Sequence, residues 1–369
     1  TVLMPLGGKY QLTPAEGMVA KLPVLDGDTT TGTIMAFGFN PKISKWSPFH
    51  GAVYAIIEAV AKVTAIGGDY RKMRLSLQEY FERLDRDPQR WGKPFSALLG
   101  AYYAQMALRI PAIGGKDSMS GTFNDLSVPP TLVAFGVAAF DIRNTVSPEF
   151  KERGTQVVLV PLHKDQWGLP DFDVLERNYV RIHQLIQEGR ILSAHSVRAG
   201  GIAEAISKMA FGNGIGFRFY DGISKDKLFS PDYGSIILEI KKGQNLEEIF
   251  HGVNFIKLGQ TQEDPLIAYG ALHIKLSKAL DAWEETLEKV FPTKSSQQVE
   301  WQEPVSYTGG MKIAAGRKIA KPRIFIPIFL GTASEYDLTK AFEVAGGLVE
   351  TLVFRDLTPQ EIRDSIAQI

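Results

Sequence analysis

No cysteine occurs among the 369 residues. A chain without a thiol forms no disulfide, builds no thiolate metal site and supplies no cysteine nucleophile. Charge bias is also missing, since 41 Lys+Arg balance 41 Asp+Glu, whereas a protein of nucleic acids or membrane surfaces shows a basic excess or patch. No uninterrupted apolar segment approaches the roughly 18 residues of a membrane span. The six histidines, His50, His163, His183, His195, His251 and His273, show neither metal-ligand spacing nor a readable Ser/His/Asp grouping. The chain opens Thr1-Val2-Leu3-Met4, without initiator methionine or signal peptide, and closes inside an amphipathic segment, Ile366-Ala367-Gln368-Ile369. With 44% hydrophobic residues, it reads as a soluble, cytoplasmic piece of a longer polypeptide, with no nucleic-acid or membrane partner.

The length suits two or three domains. Residues 1–142 read as an α/β domain. Gly32 to Phe39 is a strand, and Pro48 to Ile66 a mostly apolar helix stopped by Gly67-Gly68. A helix this apolar must be sandwiched between other elements. Leu75 to Leu84 and Ser96 to Ile110 read as two further helices, separated by a segment whose Pro88, Gly92 and Pro94 interrupt helical continuity. Residues 143–308 read as an α+β domain: a strand at Thr155 to Leu162, a long helix near Asp171 to Ile191, and a helix at Ile202 to Phe211. Strands follow at Gly216 to Tyr220, Ser235 to Ile240, Phe255 to Leu258 and Leu266 to Leu276. A basic linker, 309–321, leads to strand, helix, strand and helix over 322–369, the opening of a parallel doubly wound sheet. Two strands are too few to bury both faces of such a sheet, so this domain reads as truncated.

The most informative stretch is Gly114-Gly115-Lys116-Asp117-Ser118-Met119-Ser120-Gly121, between the apolar runs Leu108 to Ile113 and Leu132 to Phe140. A glycine pair at a strand end lets the backbone approach a ligand closely, and Lys116 with the serine hydroxyls supplies donors to phosphate oxygens. The spacing G-x-x-x-x-G-K-[ST] is absent, so this is not a Walker loop. Gly115, Lys116, Ser118 and Ser120 are candidates for phosphate or substrate contact. The other reading of the loop is a turn braced by its own hydrogen bonds. Asp117 contacts phosphate favourably only through a cation, and is better suited to orienting Lys116 or a backbone donor.

Several segments together resemble phosphoribosylformylglycinamidine synthase, the amidotransferase family of purine biosynthesis. They are Gly32 to Gly38, Glu58-Ala59, Ile66 to Asp69 through Arg74-Leu75-Ser76, Gly115 to Ser120, Ala194-His195 through Gly200-Gly201, and Met209 to Phe211. The resemblance is to the second of two homologous synthetase halves plus the start of the glutaminase domain. It implies two aminoimidazole ribonucleotide synthetase-like domains followed by a truncated class I glutaminase-like, flavodoxin-like segment. It also implies a reaction for the full-length enzyme: ATP with Mg²⁺ phosphorylates the formamide oxygen of formylglycinamide ribonucleotide, and ammonia from glutamine displaces the phosphate. Partners implied are the first synthetase half, paired as a pseudo-dimer, the glutaminase domain of the same polypeptide, and the small-molecule substrates.

The half that this chain resembles carries an auxiliary nucleotide site. The family pattern there is an Asp, a Glu, an Asn four residues later, and an Asp in a His-Asp-x-Ser-Asp-Gly-Gly run that together hold magnesium. Here these positions fall at Val19, Glu58, Lys62 and Ser196, in the run His195-Ser196-Val197-Arg198-Ala199-Gly200-Gly201. Three of four ligands are lost, and Glu58 alone remains as a metal candidate. Magnesium takes hard oxygens with carboxylate charge, so the expectation is a degraded pocket with no cofactor bound and Lys62 paired with Glu58 in place of the ion. The plainer reading of an i,i+4 Glu/Lys pair is a solvated bridge worth about 0.3–0.5 kcal/mol. His195, beside a glycine pair opening a helix, is a ligand or a structural residue. Tyr80, Phe81, Trp91, Tyr102 and Tyr103 read as core or pseudo-dimer interface. Without a cysteine the chain cannot itself hydrolyse glutamine, and no catalytic residue is assigned. The alternative function is a purely structural half with a decayed nucleotide site.

Overall fold

The computed structural model describes residues 6–24, 27–292, 309 and 320–369. The chain divides into two units, Thr1–Ser295 and Ser296–Ile369. Most of the expected linker, and the opening Thr1 to Met4, lie outside the described residues.

The first unit begins with a five-stranded sheet built from β1 (Met18–Lys21), β2 (Thr31–Gly38), β3 (Arg74–Tyr80), β4 (Ala112–Lys116) and β5 (Thr131–Asp141), in the order β1-β2-β5-β3-β4. Only β3 and β4 pair in parallel. Alternation along β2 and β5 buries Ile34, Ala36, Leu132 and Ala134 on one face and leaves Met35, Phe37 and Phe135 exposed on the other.

Against the buried face lies helix α2 (Pro48–Ile66), preceded by the short α1 (Pro41–Trp46). Ser47 caps α2 by accepting from the His50 N–H, Pro48 occupies the first turn, and Gly67 ends it in the left-handed conformation at φ 113°. Although Glu58 and Lys62 interrupt its apolar run, this helix is by length and mean hydropathy able to cross a bilayer, yet every residue from Gly51 to Ile66 is buried inside the protein. It touches the first sheet, α3, and elements of the second sheet, which accounts for burial on all sides. Val53, Ile56, Ile57, Val60 and Val63 are each fully buried, contributing about 1.5–3 kcal/mol apiece.

Two expected helices are corrected. Leu75 to Leu84 is not helical: Arg74–Tyr80 is strand β3, hydrogen-bonded on both edges, because Leu75, Leu77 and Glu79 alternate toward the helical layer. Ser96 does not start a helix either. Helix α3 runs unbroken from Pro88 to Leu108 with Asp87 as its cap, tolerating Gly92 and a buried Pro94 because packing against α2 outweighs the one N–H that proline withholds. Arg109 in the left-handed region ends α3, so the apolar run from Leu108 splits between helix end and β4. β3, α3 and β4 therefore form a βαβ unit.

The second sheet has seven strands: β6 (Gln156–Val160), β7 (Ile191–Ser196), β8 (Gly216–Phe219), β9 (Ile236–Ile240), β10 (Ile256–Gln262), β11 (Leu266–Tyr269) and β12 (Leu272–Lys275), ordered β7-β9-β6-β10-β8-β11-β12. Helices α4 (Phe172–Gln187) and α5 (Gly201–Phe211) pack on it, and α6 (Leu276–Glu284) follows. The long helix ends earlier than its apolar pattern suggests, since Ile191 belongs to β7. The run Leu266 to Leu276 is a hairpin turning at Gly270, φ 55°.

In the second unit, β13 (Arg323–Ile328) and β14 (Leu348–Val353) pair in parallel across α7 (Glu335–Val344), and α8 (Pro359–Gln368) follows with Thr358 as its cap.

Candidate functional site

The glycine-rich motif is divided between strand and loop. Gly114, Gly115 and Lys116 end the edge strand β4, and Asp117 begins the turn. That turn is laced onto the end of β3: Ser118 N–H donates to Glu79 O at 3.1 Å, Phe81 N–H to Ser118 O at 2.9 Å, and Gly121 N–H to Phe81 O at 2.9 Å. Ser118 and Ser120 hydroxyls lie 3.0 Å apart. Internal bracing thus uses the backbone and the serines, while the Lys116 ammonium has no partner among the described residues. A Cβ on Gly115 would stand 2.2 Å from Leu77 O, whereas one on Gly114 would meet nothing. Gly115 permits close approach to the neighbouring strand, and Gly114 faces open space.

A cavity of about 490 Å³ opens here. Trp91, Pro94, Phe95 and Leu98 of α3 form one wall, and Leu77, Glu79 and Gly114 to Lys116 form the other, with Asp117 and Met119 at its rim. It sits where the carboxyl ends of two parallel strands meet the amino-terminal turns of the helix joining them, a usual place for a ligand in α/β architecture. Glu79 is buried at the end of β3. Burial, then the nearby Asp117, push its pKa above the ordinary carboxylate value. Phe81 is core, but Trp91 and Tyr102 are 55% and 62% exposed, so those two rings are not core.

A second constellation lies in the interior, between α2 and the loop after β7. Lys62 Nζ is 2.7 Å from Glu58 Oε1, with both side chains buried. It also donates to Phe37 O at 2.8 Å and stands 4.6 Å from the Phe37 ring centre. Glu58 Oε2 accepts from Phe39 N–H at 3.3 Å. Glu16, which no motif singles out, joins from the N-terminal segment: its fully buried carboxylate accepts from Ser196 N–H at 2.8 Å and from Arg198 Nη2 at 3.1 Å. Burial alone would raise its pKa, but His195, Arg198 and Lys62 outweigh that and hold it at about 2. His195 Nδ1 contacts Ser196 O at 2.7 Å, and its Nε2 lies 3.5 Å from Glu16 Oε1. Burial pushes the imidazole pKa down, with Glu16 opposing. The Ser196 hydroxyl is buried without a partner among the described residues. Val19 is half-buried in β1 opposite Ile34, packed on the core.

The family resemblance implies magnesium at this place. Magnesium takes near-octahedral oxygens and is held by carboxylate charge. Here the Glu58 carboxylate is engaged by Lys62 and Phe39, the Glu16 carboxylate by Arg198 and Ser196, and among the described residues no three His, Cys, Asp or Glu group as ion ligands. The residues present do not fit the ion. Glu204, moreover, accepts from Gly200 N–H at 2.8 Å and pairs with Lys208, so the start of α5 is already capped by a carboxylate.

No protein-family model matches the chain. In sequence it is 23% identical over 316 residues to phosphoribosylformylglycinamidine synthase subunit PurL of Thermus thermophilus, covering 77% of this chain and 42% of that protein. To the same subunit of Thermoplasma acidophilum it is 26% identical over 322 residues, covering 78% and 41%. The chain spans less than half the length of these curated relatives. Among solved structures, Thermotoga maritima PurL complexed with FGAR has a TM-score of 0.59 at 13% identity, covering 94% of this chain and 56% of that one. The same protein complexed with ADP also gives 0.59, at 14% identity over 93% and 54%. The structural likenesses establish a mixed α/β fold of the PurL kind, and in sequence the chain is similar to phosphoribosylformylglycinamidine synthase subunits, the family that its motifs resemble.

Proposed function

We propose that this chain is the second synthetase half of a phosphoribosylformylglycinamidine synthase, with 322–369 as the start of its glutaminase domain. The whole enzyme would use ATP and glutamine to convert formylglycinamide ribonucleotide to the amidine. The observation that carries the reading is the unpaired Lys116 ammonium at the carboxyl ends of two parallel strands, at the mouth of a ligand-sized cavity. A fixed cation here binds an anionic group of the substrate without competition from the loop's own bonds. The first synthetase half would cover the open face of the first sheet. Paired residues Met18 with Met35 and Phe37 with Phe135 leave a contiguous exposed apolar surface there, of the kind that marks an interface. In the second unit, Phe325, Leu348 and Val353 are likewise exposed on a parallel pair, faces that further strands and helices cover in a complete domain.

The auxiliary nucleotide pocket, in this reading, is closed by its own ion pairs, Lys62 standing where the metal would. That supports a second role for the interior cluster, as a strut rather than a cofactor site. Two experiments test these assignments. In the full-length enzyme Lys116→Ala is expected to raise KM for formylglycinamide ribonucleotide at least tenfold, and unchanged KM and kcat would instead favour a purely structural half. Calorimetry with Mg-ADP is expected to show no binding to this chain, and micromolar, metal-dependent binding would reopen the pocket.

A further inference from the structure

The cavity beside Lys116 has one polar group that the phosphate-binding loop does not explain. Glu79 is 6% exposed and lines the cavity wall, yet its carboxyl has no hydrogen bond or ion pair among the described residues. Neither oxygen is among the polar atoms shut off from solvent without a partner, so the carboxyl opens onto the cavity, and a ligand that displaces its water must supply a donor in exchange. Its place is set by backbone rather than chance. It is the third of the inward residues Leu75, Leu77 and Glu79 along β3, and its own carbonyl is fixed by Ser118 N–H. The parallel register sets Leu77 beside Gly115 and Gln78 beside Lys116, so carboxyl and ammonium stand at the same end of neighbouring strands. Across the cavity, Trp91, Phe95 and Leu98 offer only apolar surface.

We infer that Glu79 is a substrate-binding residue of this cavity, accepting the N–H groups of an amide or amidine on the same small molecule whose anionic group Lys116 holds. The ligand class follows from the three walls: an anion for Lys116, an N–H donor for Glu79, and an apolar or ring face against Trp91 and Phe95. Asp117 repels the anion from the rim and leaves Lys116 as its anchor. Burial raises the Glu79 pKa, with Asp117 adding to it, so a ligand donor strengthens the ionised form when it arrives. The inference rests on the reading that the Lys116 loop meets substrate, and the test separates the two.

Binding of two probes to the full-length enzyme is measured by calorimetry: formylglycinamide ribonucleotide, which carries anion and amide, and ribose 5-phosphate, which carries the anion alone. Lys116→Ala is expected to weaken both about tenfold or more. Glu79→Gln, of the same shape, is expected to weaken the ribonucleotide by about tenfold and leave ribose 5-phosphate unchanged. Phe95→Ala removes a side chain that is 63% exposed, so it spares the fold while weakening the ribonucleotide. If Lys116→Ala affects neither probe, the loop reading fails. If it affects both while Glu79→Gln and Phe95→Ala leave ribonucleotide affinity at the wild-type value, the Glu79 assignment alone is overturned.

Discussion

Arg198 Nη2 donates to Glu16 Oε1 at 3.1 Å across a sequence separation of 182 residues. This contact fastens the N-terminal segment to the loop between β7 and α5, in surroundings where Glu16 has no exposed surface. Removing one member of a buried pair leaves the other charge uncompensated, which costs about 3–5 kcal/mol. Arg198→Ala should therefore destabilise the first unit by about 3 kcal/mol in urea unfolding. Glu16→Gln should cost less, because an amide oxygen still accepts from Ser196 N–H. An Arg198→Ala change under about 0.5 kcal/mol, the scale of an exposed bridge, would show the pair to be solvated.

Glu58 and Lys62 make a second buried pair, one helical turn apart. Lys62→Met is expected to cost about 3 kcal/mol because it strands Glu58 in the core, whereas the double change Glu58→Leu with Lys62→Met should return stability to within about 1 kcal/mol of wild type. The cycle is read from unfolding midpoints at constant slope. Strict additivity of the two single changes would mean that the side chains do not sense each other.

Acid should weaken the fold through the same cluster. Glu16 has a folded pKa of about 2, below its ordinary 4.5, so its contribution is complete above about pH 4.5 and is lost as pH falls through 2. The difference is on the order of 3 kcal/mol. His195 is also lowered, by burial first, and has the same sign: its contribution is present above about 6.5 and declines on acidification. Glu239 and Glu79 have the opposite sign, since burial raises both. The informative quantity is therefore a difference. The stability gap between wild type and Glu16→Gln should shrink as pH falls from 5 toward 2, and a constant gap would contradict the assigned shift.

How much of this was legible in the sequence depends on the range of the interaction concerned. Helix α2 is written locally: Ser47 and Pro48 start it, Gly67 stops it, and its apolar residues have nowhere to face water. The Glu58/Lys62 pair follows from the same helix, because four residues make one turn. Segment 75–84 reads as a helix because Leu77, Phe81 and Leu84 recur at i, i+4 and i+7, while Leu75, Leu77 and Glu79 alternate as in a strand, and only pairing with β4 and β5, distant in sequence, decides between the two. Pro94 misled for the same reason, since packing against α2 overrides a local penalty. Glu16 carried little signal. It sits in an aperiodic N-terminal segment, and its partners lie some 180 residues away; the one clue was an acid three residues before Val19, where an acid is missing.

The two glycines of the motif should separate under substitution. Gly115→Ala places a Cβ 2.2 Å from Leu77 O, a backbone atom held in the β3 and β4 ladder, so one of the two strands must shift. Overpacking of this kind costs about 1–3 kcal/mol, and here it would also displace Lys116 at the next position. Gly114→Ala meets no atom within 4 Å and its φ is not positive, so stability should hold within about 0.5 kcal/mol. Thermal unfolding distinguishes the pair: a lowered midpoint for Gly115→Ala alone is expected. Equal losses at both positions would mean that Gly114, too, is held against its neighbours, and that the cavity floor is not open at that point.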